Sequence, residues 1–198
     1  MTDVLTKLRA HIRSIEGRPA VDGLWQPSGV AELDEAAGGL PRPGIVEVVG
    51  VVGSGRTRLA LALGAASGGP LFWVDPLGVF FPPTAAAFGV QLDRLVLVRP
   101  PVEHVAWTVE QALRSGACPL VVLDTPPELP GAAARWMRAA QLGANTLCVI
   151  TDQPGRELMP TLRLVVSGGR ATVQRHRSGR IGMSFAVPGW PKGTDPWA

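Results

Sequence analysis

Residues Gly50–Thr57 read Gly-Val-Val-Gly-Ser-Gly-Arg-Thr, and no other stretch restricts the fold as much. A loop of the form G-x-x-x-x-G-K-[ST] joins a buried strand to a helix. Its glycines let backbone N–H groups wrap phosphates at the helix N-terminus, while a lysine reaches the outer phosphates. Gly50, Gly53, Gly55 and Thr57 stand at the expected places, but position 56 is arginine. The flanks agree with the loop: Ile45–Val49 reads as the buried strand and Leu59–Leu63 as the helix that follows.

Beyond the loop, short apolar runs alternate with helical stretches. Strands are expected at 71–74, 95–98, 120–123 and 146–151, and helices at 83–88, 102–114 and 132–142. Strands separated by helices imply βαβ crossovers and a mostly parallel sheet covered on both faces. From Leu162 the pattern changes to three strands, 162–167, 170–175 and 181–187, joined at Gly168-Gly169 and Ser178-Gly179, which are hairpin signals. The fold class is therefore α/β: a three-layer core around a phosphate loop, with C-terminal antiparallel hairpins. Residues 30–187 form the domain, and 1–29 an amphipathic helix with its linker. Residues 188–198, rich in Pro and Trp, form an irregular tail.

In the N-terminal helix Leu5, Leu8, Ile12 and Ile15 recur at helical spacing. Such a helix either folds back on its own domain or docks on another subunit, so self-association stays open. Trp190 and Trp197, set among prolines and glycines, are candidate anchors for a protein partner. Net charge is +3, and the stretch from residue 161 carries 6 basic side chains against 1 acidic. Arg170, Arg175, Arg177 and Arg180 are expected to project from the hairpins, as a solvated face or as a surface for an acidic partner or nucleic acid. Apolar residues make up 46% and charged residues 18% of the chain, as in a well-buried globular protein. No apolar run approaches the roughly 18 residues needed to cross a bilayer, and no signal peptide is visible. A cytoplasmic location without membrane contact is expected, with Cys118 and Cys148 as buried free thiols. His11, His104 and His176 are scattered, so no metal site is expected.

A second nucleotide element would be an apolar strand ending in aspartate, and Leu120–Asp124 has that form. Read with its flanks, the chain resembles the RecA family. The approach Gly38-Gly39-Leu40-Pro41 through Gly50 is similar, as are Phe72–Asp75, Phe88–Val90, Leu92–Leu95, Ala112–Ala117 and Asn145–Leu147 ending at Gln153. The resemblance implies that Asp124 serves a magnesium shell and Gln153 senses the outer phosphate. Departures from the family accompany the matches. The glutamate that activates water in the recombinases is matched by Leu77, which cannot accept a proton. The adenine contacts are matched by Phe81 and Thr84. Arginine at 56 keeps the charge but not the compact ammonium.

The two DNA-contacting loops of the family are cut to about residues 126–131 and 154–160, and the large C-terminal domain is expected to be missing. Direct DNA binding is expected to be weak or absent. This pattern is closest to the ImuA/SulA group, and within it to ImuA. It implies a non-enzymatic accessory protein of damage-induced translesion mutagenesis. The implied partners are an ImuB-like inactive Y-family polymerase, RecA and an error-prone replicative-type DNA polymerase. Gly50, Gly53, Gly55, Arg56, Thr57, Asp124 and Gln153 would then be a vestigial nucleotide site, needing no cofactor; bound ATP and magnesium are not favoured. The alternatives are a minimal nucleotide-dependent recombinase or ATPase, and a SulA-like inhibitor of cell division.

Overall fold

The computed structural model describes residues 25–191. Leu5, Leu8, Ile12 and Ile15, for which a helix is expected, and the tail residue Trp197 lie outside the described residues. Eight strands form one sheet in the order β10-β9-β8-β3-β7-β6-β4-β5. They are β3 (Gly44–Val49), β4 (Leu71–Val74), β5 (Leu95–Val98), β6 (Leu120–Asp124), β7 (Thr146–Thr151), β8 (Leu162–Ser167), β9 (Arg170–His176) and β10 (Ser184–Ala186). The first six run parallel, while β9 and β10 pair antiparallel at one edge. A two-stranded ribbon, β1 (Trp25–Gln26) with β2 (Leu40–Pro41), precedes the sheet. The α/β class with antiparallel C-terminal strands is as the sequence predicts.

Helices cover both faces because alternate strand residues are apolar on both sides. On one face α1 (Ala31–Ala37), α2 (Arg56–Ala66) and α3 (Pro82–Ala87) pack Leu33, Leu59, Leu63 and Ala85 against Val46, Val48, Trp73, Val122 and Ile150. On the other, α4 (Val102–Ser115) and α5 (Ala132–Gly143) pack Val105, Val109, Leu113 and Trp136 against Ile45, Val121, Leu123 and Val149. The start of α1 is held by Asp34, whose Oδ1 accepts from Ser28 N at 2.8 Å and Ser28 Oγ at 2.6 Å. Prolines at 100 and 101 precede α4, where a missing N–H costs nothing. Both cysteines are buried and free. Burial, with the nearby Asp124 charge, pushes the Cys148 thiol up to about 12.

One element differs from the sequence reading. The last strand is Ser184–Ala186, not 181–187, and Ser178-Gly179 does not close a two-residue hairpin. His176 Nε2 donates to Ala37 O at 2.8 Å, and Arg180 Nη1 donates to Glu35 O at 3.2 Å. These bonds draw the connection onto the C-terminal end of α1, whose last carbonyls favour a cation. Gly182 N and Met183 O meet Val173 outside regular strand pairing. The loop is therefore longer and the strand shorter.

Candidate functional site

The C-terminal ends of β3, β7, β6 and β4 lie side by side, so the loops that follow them share one edge of the sheet. The phosphate loop leaves β3 and enters α2 through Gly55. It is braced by Gly50 N to Thr151 O at 3.0 Å and Ser54 N to Val51 O at 3.1 Å. Thr57 is exposed at the helix start. Arg56 does not point outward. Its side chain is buried; Nη1 donates to Gly50 O at 2.6 Å and to the Asp152 carboxylate, and Nη2 reaches Thr125 Oγ1 at 3.5 Å. The cation at the lysine position is thus held by the loop's own carbonyl and by the end of β7.

Asp124 ends β6 and is almost fully buried. Burial raises its carboxyl above the usual range, against the opposing hydrogen bond from Thr125 Oγ1 at 3.0 Å. Gln153, one residue beyond Asp152, is exposed. The structure therefore brings Gly50, Gly53, Gly55, Arg56, Thr57, Asp124 and Gln153 to one edge.

The loop after β4 is organised by Asp75. Its carboxylate is wholly buried and accepts from Val79 N at 2.9 Å, Phe80 N at 3.0 Å and Arg99 Nε at 3.0 Å. Arg99 Nη2 also donates to Phe80 O at 3.1 Å. The turn so formed buries Phe80 and exposes Leu77, Val79 and Phe81 at 59%, 62% and 64%. Val51 and Val52 of the phosphate loop are exposed too. Two loops at this edge of the sheet thus present exposed apolar side chains.

Sequence reasoning missed a buried ion pair behind this edge. Glu47, within the apolar run of β3, is wholly buried and is paired in register with Arg163 of β8. Its carboxylate accepts from Arg163 Nε and from Gly155 N at 2.7 Å, and lies 3.5 Å from Thr151 Oγ1. Glu157 accepts from Gly131 N at 2.7 Å and so links the loop after β7 to the loop after β6. The available signal was one charge inside each of two apolar strands.

The remaining candidates divide. Arg170, Arg175 and Arg177 are exposed on β9 and the connection after it, whereas the Arg180 guanidinium is held at the end of α1. Trp190 is not an outward anchor. It is half-buried and packs against the core beside the phosphate loop, because Gly55 and Gly169 leave room for its ring. Trp107 is 61% exposed on α4. Among the described residues no three of His, Cys, Asp or Glu are placed to hold a metal, and no helix is long and apolar enough to cross a membrane.

Comparison with known proteins agrees with this geometry. The family described as the RecA N-terminal domain matches residues 15–135. The chain is similar to Protein RecA of Salinispora tropica, 38% identical over 123 residues, covering 59% of this chain and 35% of that protein. Protein RecA of Acholeplasma laidlawii is 39% identical over 105 residues, covering 50% and 32%. Protein RecA of Streptomyces avermitilis is also 39% identical over 105 residues, covering 50% and 28%. The chain spans about a third of the length of the curated relatives it matches.

Proposed function

We propose a role that starts from one fact: the chain belongs to the RecA N-terminal domain family. Within that family we read it as an ImuA-type protein, a non-catalytic accessory factor of damage-induced translesion mutagenesis. It works by binding proteins: an ImuB-like polymerase relative, RecA, or both, with an error-prone replicative-type polymerase in the same assembly. The observation that carries this reading is the position of Arg56. A loop cation engaged with Gly50 O and Asp152 is part of the fold, and it would have to break both bonds to meet a phosphate.

The residues present do not fit a nucleotide held with magnesium. Asp124 is almost fully buried, and burial raises its carboxyl, which works against the charged form that a hard cation needs. Leu77 occupies the place of the general base and cannot orient water. The exposed apolar side chains Val51, Val52, Leu77, Val79 and Phe81 suit a protein interface better than a hydrolytic centre. One feature favours the second reading, a minimal ATPase: Thr57 is exposed at the start of α2 with the loop glycines in place.

The test is a pull-down of the purified chain against the host recombinase and the polymerase-like partner, beside a steady-state ATPase assay. Capture of either partner with no turnover above background is expected. DNA-stimulated hydrolysis that disappears in Arg56→Ala would overturn the reading.

A further inference from the structure

The segment that follows β10 returns to the phosphate loop and settles on it. Val187 is buried, and its N–H donates to Gly169 O at 2.8 Å in the turn between β8 and β9. Trp190 N donates to Val187 O at 3.0 Å, closing a turn that aims the indole at the loop. The ring lies in a slot whose two sides lack side chains. A Cβ on Gly55 would come within 2.9 Å of it, and a Cβ on Gly169 would run into it. Gly169 N is itself bonded to Ser54 O at 3.1 Å, so the slot is tied to the phosphate loop.

Arg58 secures the contact. It stands in the first turn of α2, where a cation opposes the helix dipole. Its guanidinium carbon lies 4.5 Å from the Phe88 ring centre and 5.6 Å from that of Trp190, while Nη1 donates to Gly189 O. Cation–π contact offsets the unfavourable position. The segment walls one side of an open groove of about 240 Å³ above the loop, lined by Gly53, Gly55, Arg56, Thr57, Arg58 and Trp190. Arg58 and Trp190 are turned toward each other at its side.

We propose that residues 188–191 form an intramolecular strap over the phosphate loop, which excludes polyphosphate while Trp190 is seated and admits it when Trp190 leaves. The strap deepens the non-catalytic reading above by naming what regulates the same loop. Trp190 is only half-buried, and its seat is made of surface contacts that a local opening can break.

The test is calorimetric titration with inorganic tripolyphosphate of the full chain and of Trp190→Ala and Trp190→Phe. If the strap is seated about nine-tenths of the time, its loss tightens binding about tenfold. Trp190→Phe, which keeps a ring in the slot, should bind like the parent. Affinity in Trp190→Ala equal to or weaker than the parent's would make Trp190 no more than a wall of the groove and overturn the proposal. Should Trp190→Ala fail to fold, Arg58→Met decides: tighter binding despite the lost charge supports the strap, and unchanged or weaker binding overturns it. Hydrolysis by any variant would overturn the non-catalytic reading while leaving the strap intact.

Discussion

Replacing Arg56 by methionine separates two roles that the same position could have. Methionine keeps most of the stem and removes the guanidinium. A residue kept for phosphate is unpaired in the ligand-free protein, and its loss leaves stability unchanged or improved. Here the guanidinium satisfies the buried Gly50 carbonyl at 2.6 Å and pairs with Asp152, which is 55% exposed. The exposed carboxylate regains water when the pair is broken, so that part of the loss is within about 1 kcal/mol. Leaving the Gly50 carbonyl without its donor costs about 1–3 kcal/mol. The expected total is about 1–4 kcal/mol, which lowers Tm by roughly 2–16 °C for a chain of this size. Urea unfolding followed by circular dichroism should show a lower midpoint at unchanged slope. A midpoint equal to or above the parent's would show that Arg56 is not part of the fold, and the argument from its inward position would fail.

Two further outcomes follow from buried polar groups. Arg163→Met leaves the Glu47 carboxylate buried with only Gly155 N and Thr151 nearby and should cost about 3–5 kcal/mol, whereas the double change Glu47→Leu with Arg163→Met should recover most of that loss in the same urea assay. His176, stacked on Trp25 with ring centres 4.0 Å apart, accepts from Ser178 N at Nδ1 and is pushed below its ordinary pKa by burial, with the Arg180 charge adding to the shift and the Ala37 carbonyl opposing it. Its neutral form is the folded form, so its contribution is complete above about pH 6.5 and is lost as pH falls through the lower folded value. Thermal melts between pH 7.5 and 5 should fall further for the parent than for His176→Gln.

The parts of the fold that local pattern controls were legible. β3, its loop and α2 follow from an apolar run, three glycines and a helical repeat within about twenty residues. The position of Asp124 followed from a strand end, and that of Gln153 from the resemblance to the RecA family. What escaped was fixed by contacts far apart in the chain. Arg56 meets Asp152 across 96 positions, and nothing in the glycine loop announces that partner. Glu47 and Arg163 come together only once β3 and β8 are known to be neighbours. The shortened β10 depends on bonds from His176 and Arg180 to α1, some 140 residues earlier. Trp190 sits in a Pro/Gly stretch that reads as a loose tail, and its slot is supplied by two glycines from distant turns.

The Asp75 turn has one more consequence. Four hydrogen bonds among Asp75, Arg99 and the backbone of Val79 and Phe80 hold the ridge of Leu77, Val79 and Phe81 in a single shape before any partner arrives. A surface prepared in this way loses little conformational entropy on association, so a modest apolar contact can be selective. Loosening the turn at Arg99, which props the ridge through Asp75 and Phe80 O, should then slow any association made through those side chains.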